Sequence, residues 1–215
     1  MRSLILAALM CSCAHTAPPP EVASDDAHHG FSDADAWAQR FEDPSRDAWQ
    51  RPDEILKALA LPKTASVADI GAATGYFSVR LARAVPQGTV YGIDVESTMV
   101  DYLQRRAERE KLPNVSVVLA AFDDPKIPQP VDLILIVDTY HHISDRVAYF
   151  AGLFKSLKPD GHIAIIDFQP GSKKGPPDAA KVAPAQVEQE LKSAGFVVSA
   201  RHTFLPDQYF LVFSR

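Results

Sequence analysis

The chain has 215 residues, of which 47% are apolar, 23% charged and 9% aromatic; this suits one well-buried domain and excludes a disordered or collagen-like chain. With 22 Lys plus Arg against 27 Asp plus Glu the net charge is -5, so no chain-wide basic field exists to hold phosphate backbones and nucleic acid is not an expected partner. Both cysteines, Cys11 and Cys13, lie near the N-terminus, leaving the body without a thiol for a disulfide, a zinc thiolate or a nucleophile.

Residues 1–13 carry one positive charge at Arg2, a short apolar run from Leu4 to Met10, and then small residues and cysteines. The run is far shorter than the roughly 18 residues of a spanning helix, and its order is that of an export signal. It resembles a bacterial lipoprotein signal, in which the cysteine after a small residue is acylated; Ser12-Cys13 fits that better than Met10-Cys11. The resemblance implies a lipid anchor at Cys13 and a place in the cell envelope, on the periplasmic side; a plainly cleaved signal and an uncleaved cytoplasmic tail are the alternatives. Residues 14–30, rich in Ala, Pro, Asp and His, read as a flexible tether without the apolar content for a core.

From Phe31 apolar residues recur at three and four positions, through Ala34, Trp37, Ala38 and Phe41, which predicts a helix with Ser32 as its N-cap. A second helix is expected from Pro52 to about Leu61, and residues 31–62 together form an N-terminal helical lid. Beyond it, over 63–215, strands and helices alternate: strand 66–70, helix 76–85, strand 89–93, helix 97–111, strands 115–119 and 131–137, helix 144–157, strand 161–167. That alternation predicts an α/β fold with a parallel sheet covered by helices. Val131 to Val137 is almost wholly apolar, as a central strand buried on both faces requires. A helix over 184–194 stopped by Gly195 precedes strands 196–203 and 208–214, whose short connection makes them an antiparallel hairpin.

The densest chemical signal is VADIGAATGYFSVRLA, residues 67–82. A strand runs into a glycine turn that opens a helix, so backbone N–H groups and a helix N-terminus face whatever binds above the strand. Gly71 and Gly75 allow the turn and a close backbone approach, with Ala73 between them. Asp94 ends the next strand nineteen residues after Gly75, a carboxylate placed to accept both hydroxyls of a ribose. With Asp69 it makes a pair that fits a cationic ligand better than a diphosphate.

In these residues the chain resembles the class I S-adenosylmethionine-dependent methyltransferases, over about residues 50–215. The resemblance implies a three-layer Rossmann-like sandwich with a mostly parallel seven-stranded sheet, and S-adenosylmethionine as cofactor. It puts Asp69 near the methionine amino group, Gly71, Ala73 and Gly75 around the methionine and ribose, and Asp94 on the ribose hydroxyls, with Asp138 at the end of the central strand counted in the same set. Ala73 stands where the family usually has a central glycine. The acidic residue common after the third strand is displaced, since Ala121-Phe122 stands there and Asp123 follows; Asp123 is the candidate adenine ligand, and Phe122 or Val95 packs on the ring. A structural glycine turn in an NAD enzyme is the competing reading, against which no phosphate-clamping basic residue accompanies the loop.

The loop after the central strand, Asp138-Thr139-Tyr140-His141-His142-Ile143, lies where open α/β sheets bind their ligands. Either His141 or His142 is a candidate base for an acceptor that must lose a proton, with Tyr140 orienting the acceptor. The plainer alternative has one histidine capping a helix near Ser144 and the other packing on the sheet edge. Trp49 reads as a lid aromatic or as ordinary helix packing, Asp167 as a pocket residue or a loop cap, and Arg40 and Arg46 as substrate contacts or partners of Asp35, Asp43 or Asp47. The expected function is methyl transfer to a small-molecule acceptor. A non-catalytic exported lipoprotein that binds a cofactor, or a metal through His28-His29, His141-His142 and Asp138, is the alternative; the two His pairs lie too far apart in sequence for a convincing ligand pattern, so no metal site is assigned. Oligomeric state is left open.

Overall fold

A computed structural model of the chain describes residues 33–215; the expected signal, Cys13, the tether, Phe31 and Ser32 lie outside the described residues. Helix α1 (Ala34–Phe41) is capped by Asp33, whose carboxylate accepts the Ala36 N–H at 3.0 Å. The cap therefore falls one residue later than the expected Ser32, on the side chain that reaches an orphan N–H of the first turn. A short helix α2 (Ser45–Gln50), not anticipated from the sequence, and α3 (Pro52–Leu59) follow, joined at Arg51, which has a φ of 47°. Pro52 suits the first position of α3 because its missing N–H would have no partner there.

The sheet comprises β1 (Ser66–Ile70), β2 (Thr89–Asp94), β3 (Val115–Leu119), β4 (Val131–Val137), β5 (Leu157–Phe168), β6 (Val197–His202) and β7 (Gln208–Ser214), in the order β3-β2-β1-β4-β5-β7-β6. All pairings are parallel except those of β7 with β5 and β6. Helices α4 (Ser78–Ala84), α5 (Ser97–Arg109), α6 (Arg146–Leu153) and α7 (Pro184–Ser193) cover it. The result is the expected Rossmann-like sandwich. Period-two alternation sorts β4 between two cores: Ile134 and Ile136 pack with Phe150, Leu153, Val187 and Leu191 on one face, Leu133, Leu135 and Val137 with Ile55, Phe77 and Leu81 on the other. Each such fully buried side chain contributes about 1.5–3 kcal/mol.

Helix α4 starts at Ser78, two residues later than expected, because Tyr76 and Phe77 belong to the turn. The expected helix 144–157 is shorter: α6 gives way to a 3-10 turn at Phe154–Ser156, and β5 begins at Leu157. Leu157 pairs with Val131 and His162 with Leu133, so residues 158–161 bulge out of register. Pro159 within that stretch lacks the N–H a regular ladder needs. Because β1 leads outward to β2 and β3 while β4 returns on its other side, the carboxyl ends of β1 and β4 bound the crevice where such sheets bind ligands.

Candidate active site

The glycine loop is anchored to the neighbouring strand before it meets any ligand. Gly71 and Ala72 donate their N–H groups to the Ile93 carbonyl at 2.9 and 3.0 Å, and Gly75 closes a turn on the Ala72 carbonyl at 2.8 Å. Gly71 has a φ of +74°, and a Cβ there would stand 2.2 Å from Thr139 Oγ1; the loop and the β4 end touch at this point. Ala73 also takes a left-handed conformation, with a φ of 47°. This is the position at which a glycine was expected from the family pattern, and alanine occupies it at a cost of roughly 1–2 kcal/mol. Its N–H donates to Asp94 Oδ2 at 2.8 Å, while Asp94 Oδ1 accepts the Glu96 N–H at 3.0 Å. Each oxygen keeps a lone pair for a further donor.

Below the loop Asp69 is 3% exposed and accepts the Ser78 hydroxyl at 2.5 Å. Burial, together with the nearby Asp94 charge, pushes the Asp69 carboxyl up to about 6, and burial also raises that of Asp94. A cationic ligand relieves both carboxylates at once, so this donor set fits the sulfonium and ammonium charges of S-adenosylmethionine. At the β2 and β3 ends, Ala121 and Asp124 exchange backbone hydrogen bonds, forming a tight turn with Phe122 and Asp123 at its tip. Val95, Phe122 and Asp123 are all exposed there, open to the face on which an adenine would lie.

Beyond β4, Tyr140, His141 and His142 form a 3-10 turn. Its three side chains part. Tyr140 is fully buried, stacks on Phe150 at 5.4 Å and donates its hydroxyl to Glu190. The expected part of Tyr140 in orienting an acceptor is therefore corrected to a packing one: the turn directs its ring into the core under α6 and α7. His141 faces the β5 end, its Nδ1 2.9 Å from Asp167 Oδ2, while the exposed His142 ring lies against it at 4.1 Å. Neither histidine caps a helix. Asp138, with a φ of 54°, is paired with Arg46 at 3.2 Å and accepts from Gln208; burial pushes its carboxyl up to about 7 against the opposing pull of Arg46.

The N-terminal helices are fastened over this crevice. Thr74 Oγ1 donates to Glu42 at 2.8 Å, and Glu42 also pairs with Arg106. The Tyr76 hydroxyl donates to Asp47, and the Arg46 guanidinium lies 3.9 Å from the centre of the Tyr76 ring. Arg46 thus bridges to Asp138 rather than to the expected local Asp35, Asp43 or Asp47. Gln50, wholly buried, donates to Gln208 at 2.7 Å. Trp49 sits 5.7 Å from Phe168, with Lys174 Nζ 5.2 Å from its centre, so it packs at the end of β5. Sequence reading missed Ser78, Glu42 and Gln208, the partner of Gln50. The one visible signal was a polar Ser78 at the start of an otherwise apolar buried helix face.

The fold and the paired carboxylates beside a glycine loop define a protein that binds a cationic nucleoside cofactor at the switch point of a Rossmann-like sheet. The chain belongs to the methyltransferase domain family, whose model matches residues 61–204. A crystallised SAM-dependent methyltransferase from Aquifex aeolicus is 29% identical, with a TM-score of 0.77 over 83% of this chain and 96% of that one. Magnesium protoporphyrin IX methyltransferase from Synechocystis, solved with bound SAM, shares the fold at 19% identity and a TM-score of 0.66, over 86% of this chain and 93% of that one. Among curated relatives, a trans-aconitate 2-methyltransferase of Afipia carboxidovorans is 26% identical over 75% of this chain and 59% of its own length. One from Deinococcus radiodurans is 29% identical over 56% of this chain and 45% of its own length. The chain spans about half the length of the curated relatives it matches.

Proposed function

We propose that this chain transfers a methyl group from S-adenosylmethionine to a small-molecule acceptor. The observation that carries the reading is the joint formed by Ala73 N–H and Asp94 beside the buried Asp69, which prepares two carboxylates for a ligand that is both a ribonucleoside and a cation. When bound, the cofactor supplies an electrophilic methyl group on sulfur. The chain's own residues divide the remaining work. Asp94 holds the ribose hydroxyls, Asp69 and the 71–75 turn hold the methionine part, and Val95, Phe122 and Asp123 border the adenine. Arg46, Trp49 and the lid exclude water. His141 and His142 border the acceptor. Membership of the methyltransferase domain family and the Aquifex aeolicus neighbour support this reading over a non-catalytic binding protein.

Titration calorimetry with S-adenosylmethionine and with its demethylated product tests cofactor binding; no heat at millimolar ligand overturns it. Incubation with methyl-labelled cofactor and a metabolite and lipid extract then reveals the acceptor. The envelope placement is proposed from Arg2, the run Leu4 to Met10 and Ser12-Cys13 alone. Intact-mass measurement of the native protein decides it: acylated Cys13 as the first residue supports it, and a free Met1 without lipid mass overturns it. Stable anchoring requires more than one acyl chain, so the added mass should exceed that of one.

A further inference from the structure

Asp167, at the end of β5, is 2% exposed and committed on every side. Its Oδ1 accepts the Phe168 N–H at 2.7 Å, its Oδ2 accepts the His141 N–H at 3.1 Å, and the two oxygens lie 3.0 and 2.9 Å from His141 Nδ1. One carboxylate thus holds both the backbone and the ring of His141, whose side chain is 7% exposed. A carboxylate only accepts, so the proton of a neutral ring in this contact sits on Nδ1 and the lone pair on Nε2. The His142 ring lies 4.1 Å from that of His141, on an exposed residue.

We propose that Asp167 is a positioning residue that fixes His141 in the Nδ1–H tautomer, so that His141 rather than His142 takes the acceptor's proton through Nε2. The acceptor is then a protic one, an alcohol, phenol or amine, and not a carboxylate. The proposal rests on the methyl-transfer reading of the site. In the step it describes, the acceptor's oxygen or nitrogen lone pair forms a bond to the methyl carbon, and the carbon–sulfur bond breaks with its electron pair passing to sulfur. The acceptor's proton moves to Nε2, and Asp167 stabilises the imidazolium that results. A carboxylate acceptor carries no proton at neutral pH and needs none of this. An aspartate that holds its histidine by the ring and the backbone together serves orientation as much as charge.

The test joins a spectroscopic and a chemical measurement on the full chain. Nitrogen-15 NMR of neutral His141 should show a protonated Nδ1 and a bare Nε2 in the wild type. Asp167→Asn should lose that tautomer preference, while cofactor affinity by calorimetry stays within about threefold. The label transferred to an extract should be alkali-stable, as in an ether or an N-methyl group, and Asp167→Asn should slow its transfer by about 10²- to 10⁴-fold. Asp167→Glu should restore part of that rate. A wild-type ring protonated on Nε2 overturns the positioning role. An alkali-labile methyl ester as the product overturns the protic acceptor, and an Asp167→Asn variant that loses the tautomer yet transfers at the wild-type rate overturns the positioning role. Absent cofactor binding in the wild type would instead overturn the methyl-transfer reading itself, leaving the NMR result to decide the role of Asp167.

Discussion

Asp94 Oδ2 accepts the N–H of Ala73 at 2.8 Å, so the acidic end of β2 and the glycine loop after β1 form one mechanical unit. The carboxylate that would hold a ribose also supports a left-handed alanine. Asp94→Ala should then act twice, removing the ligand's hydroxyl contacts and releasing the Ala73 and Glu96 N–H groups. Charge-assisted hydrogen bonds contribute roughly 1.5–3 kcal/mol each, and affinity should fall at least tenfold by calorimetry. Ala73→Gly, which relieves the left-handed strain without touching Asp94, should leave affinity within a few-fold and hold or raise the thermal midpoint.

Gly71 is the tightest point of the site, because an added Cβ would meet Thr139 at 2.2 Å with a φ of +74°. Gly71→Ala should destabilise the chain through both overlap and strain. Combining it with Thr139→Ala removes Oγ1 and Cγ2 from the overlap but leaves Cβ at 2.9 Å, so it should recover most of the overlap part while leaving the strain of roughly 1–2 kcal/mol. Chemical denaturation of the two single variants and the double variant separates the contributions; full recovery in the double variant would mean that the backbone carries no strain there.

Asp69 supplies a pH dependence with a definite sign. Its carboxyl is raised from 3.8 to about 6 in the folded chain, mainly by burial, so between those values the folded state binds more protons than the unfolded state. The stability this group contributes is complete below about pH 4 and is lost as pH rises through about 6, an effect on the order of 2–3 kcal/mol. Asp69→Asn, which cannot ionise, should therefore gain stability relative to wild type between pH 5 and pH 8. Cofactor affinity should run the opposite way in the wild type, rising over that interval as Asp69 becomes an anion able to face the ligand's positive charge. Parallel trends in the two measurements would rule out Asp69 as the linked group.

The hold of the N-terminal helices on the sheet depends most on its inner contact. Asp47, half-exposed, pairs with Arg80 at 3.1 Å, and ion pairs of that kind contribute about 0–1 kcal/mol. Arg46 and Asp138 are only 14% and 21% exposed, and removing one partner leaves the other poorly solvated. Arg46→Ala should speed hydrogen exchange in α1 and α2 while leaving the sheet protected. Adding Asp138→Asn should restore part of the lost stability, since the uncompensated carboxylate is then gone. Equal exchange in α1 and α2 of Arg46→Ala and wild type would show that this pair does not hold the N-terminal helices.

What the sequence by itself determined is whatever depends on local periodicity and on special residues. The apolar run Val131 to Val137, the turn at Gly71 and Gly75 and the acid at Asp94 mark a central strand, a strand-to-helix turn and an acidic strand end, because each answers to backbone rules that act over a few residues. The parallel sheet and the antiparallel terminal hairpin followed from the spacing of the elements. Short pieces escaped: α2 is six residues long and has no room for a periodic pattern, and β5 reaches back to Leu157 only because Val131 offers it a pairing edge.

Only the tertiary structure decided which way side chains of adjacent residues turn. Tyr140, His141 and His142 read as one reactive cluster, yet the 3-10 turn sends Tyr140 to Glu190, His141 to Asp167 and His142 outward. Arg46 is surrounded in sequence by Asp43 and Asp47, yet it pairs with Asp138 ninety-two residues away. Such contacts join groups far apart in the chain through burial and the closing of the sheet. Burial also raises the value of each contact, because a charged or polar group removed from water must find its partner wherever the fold supplies one.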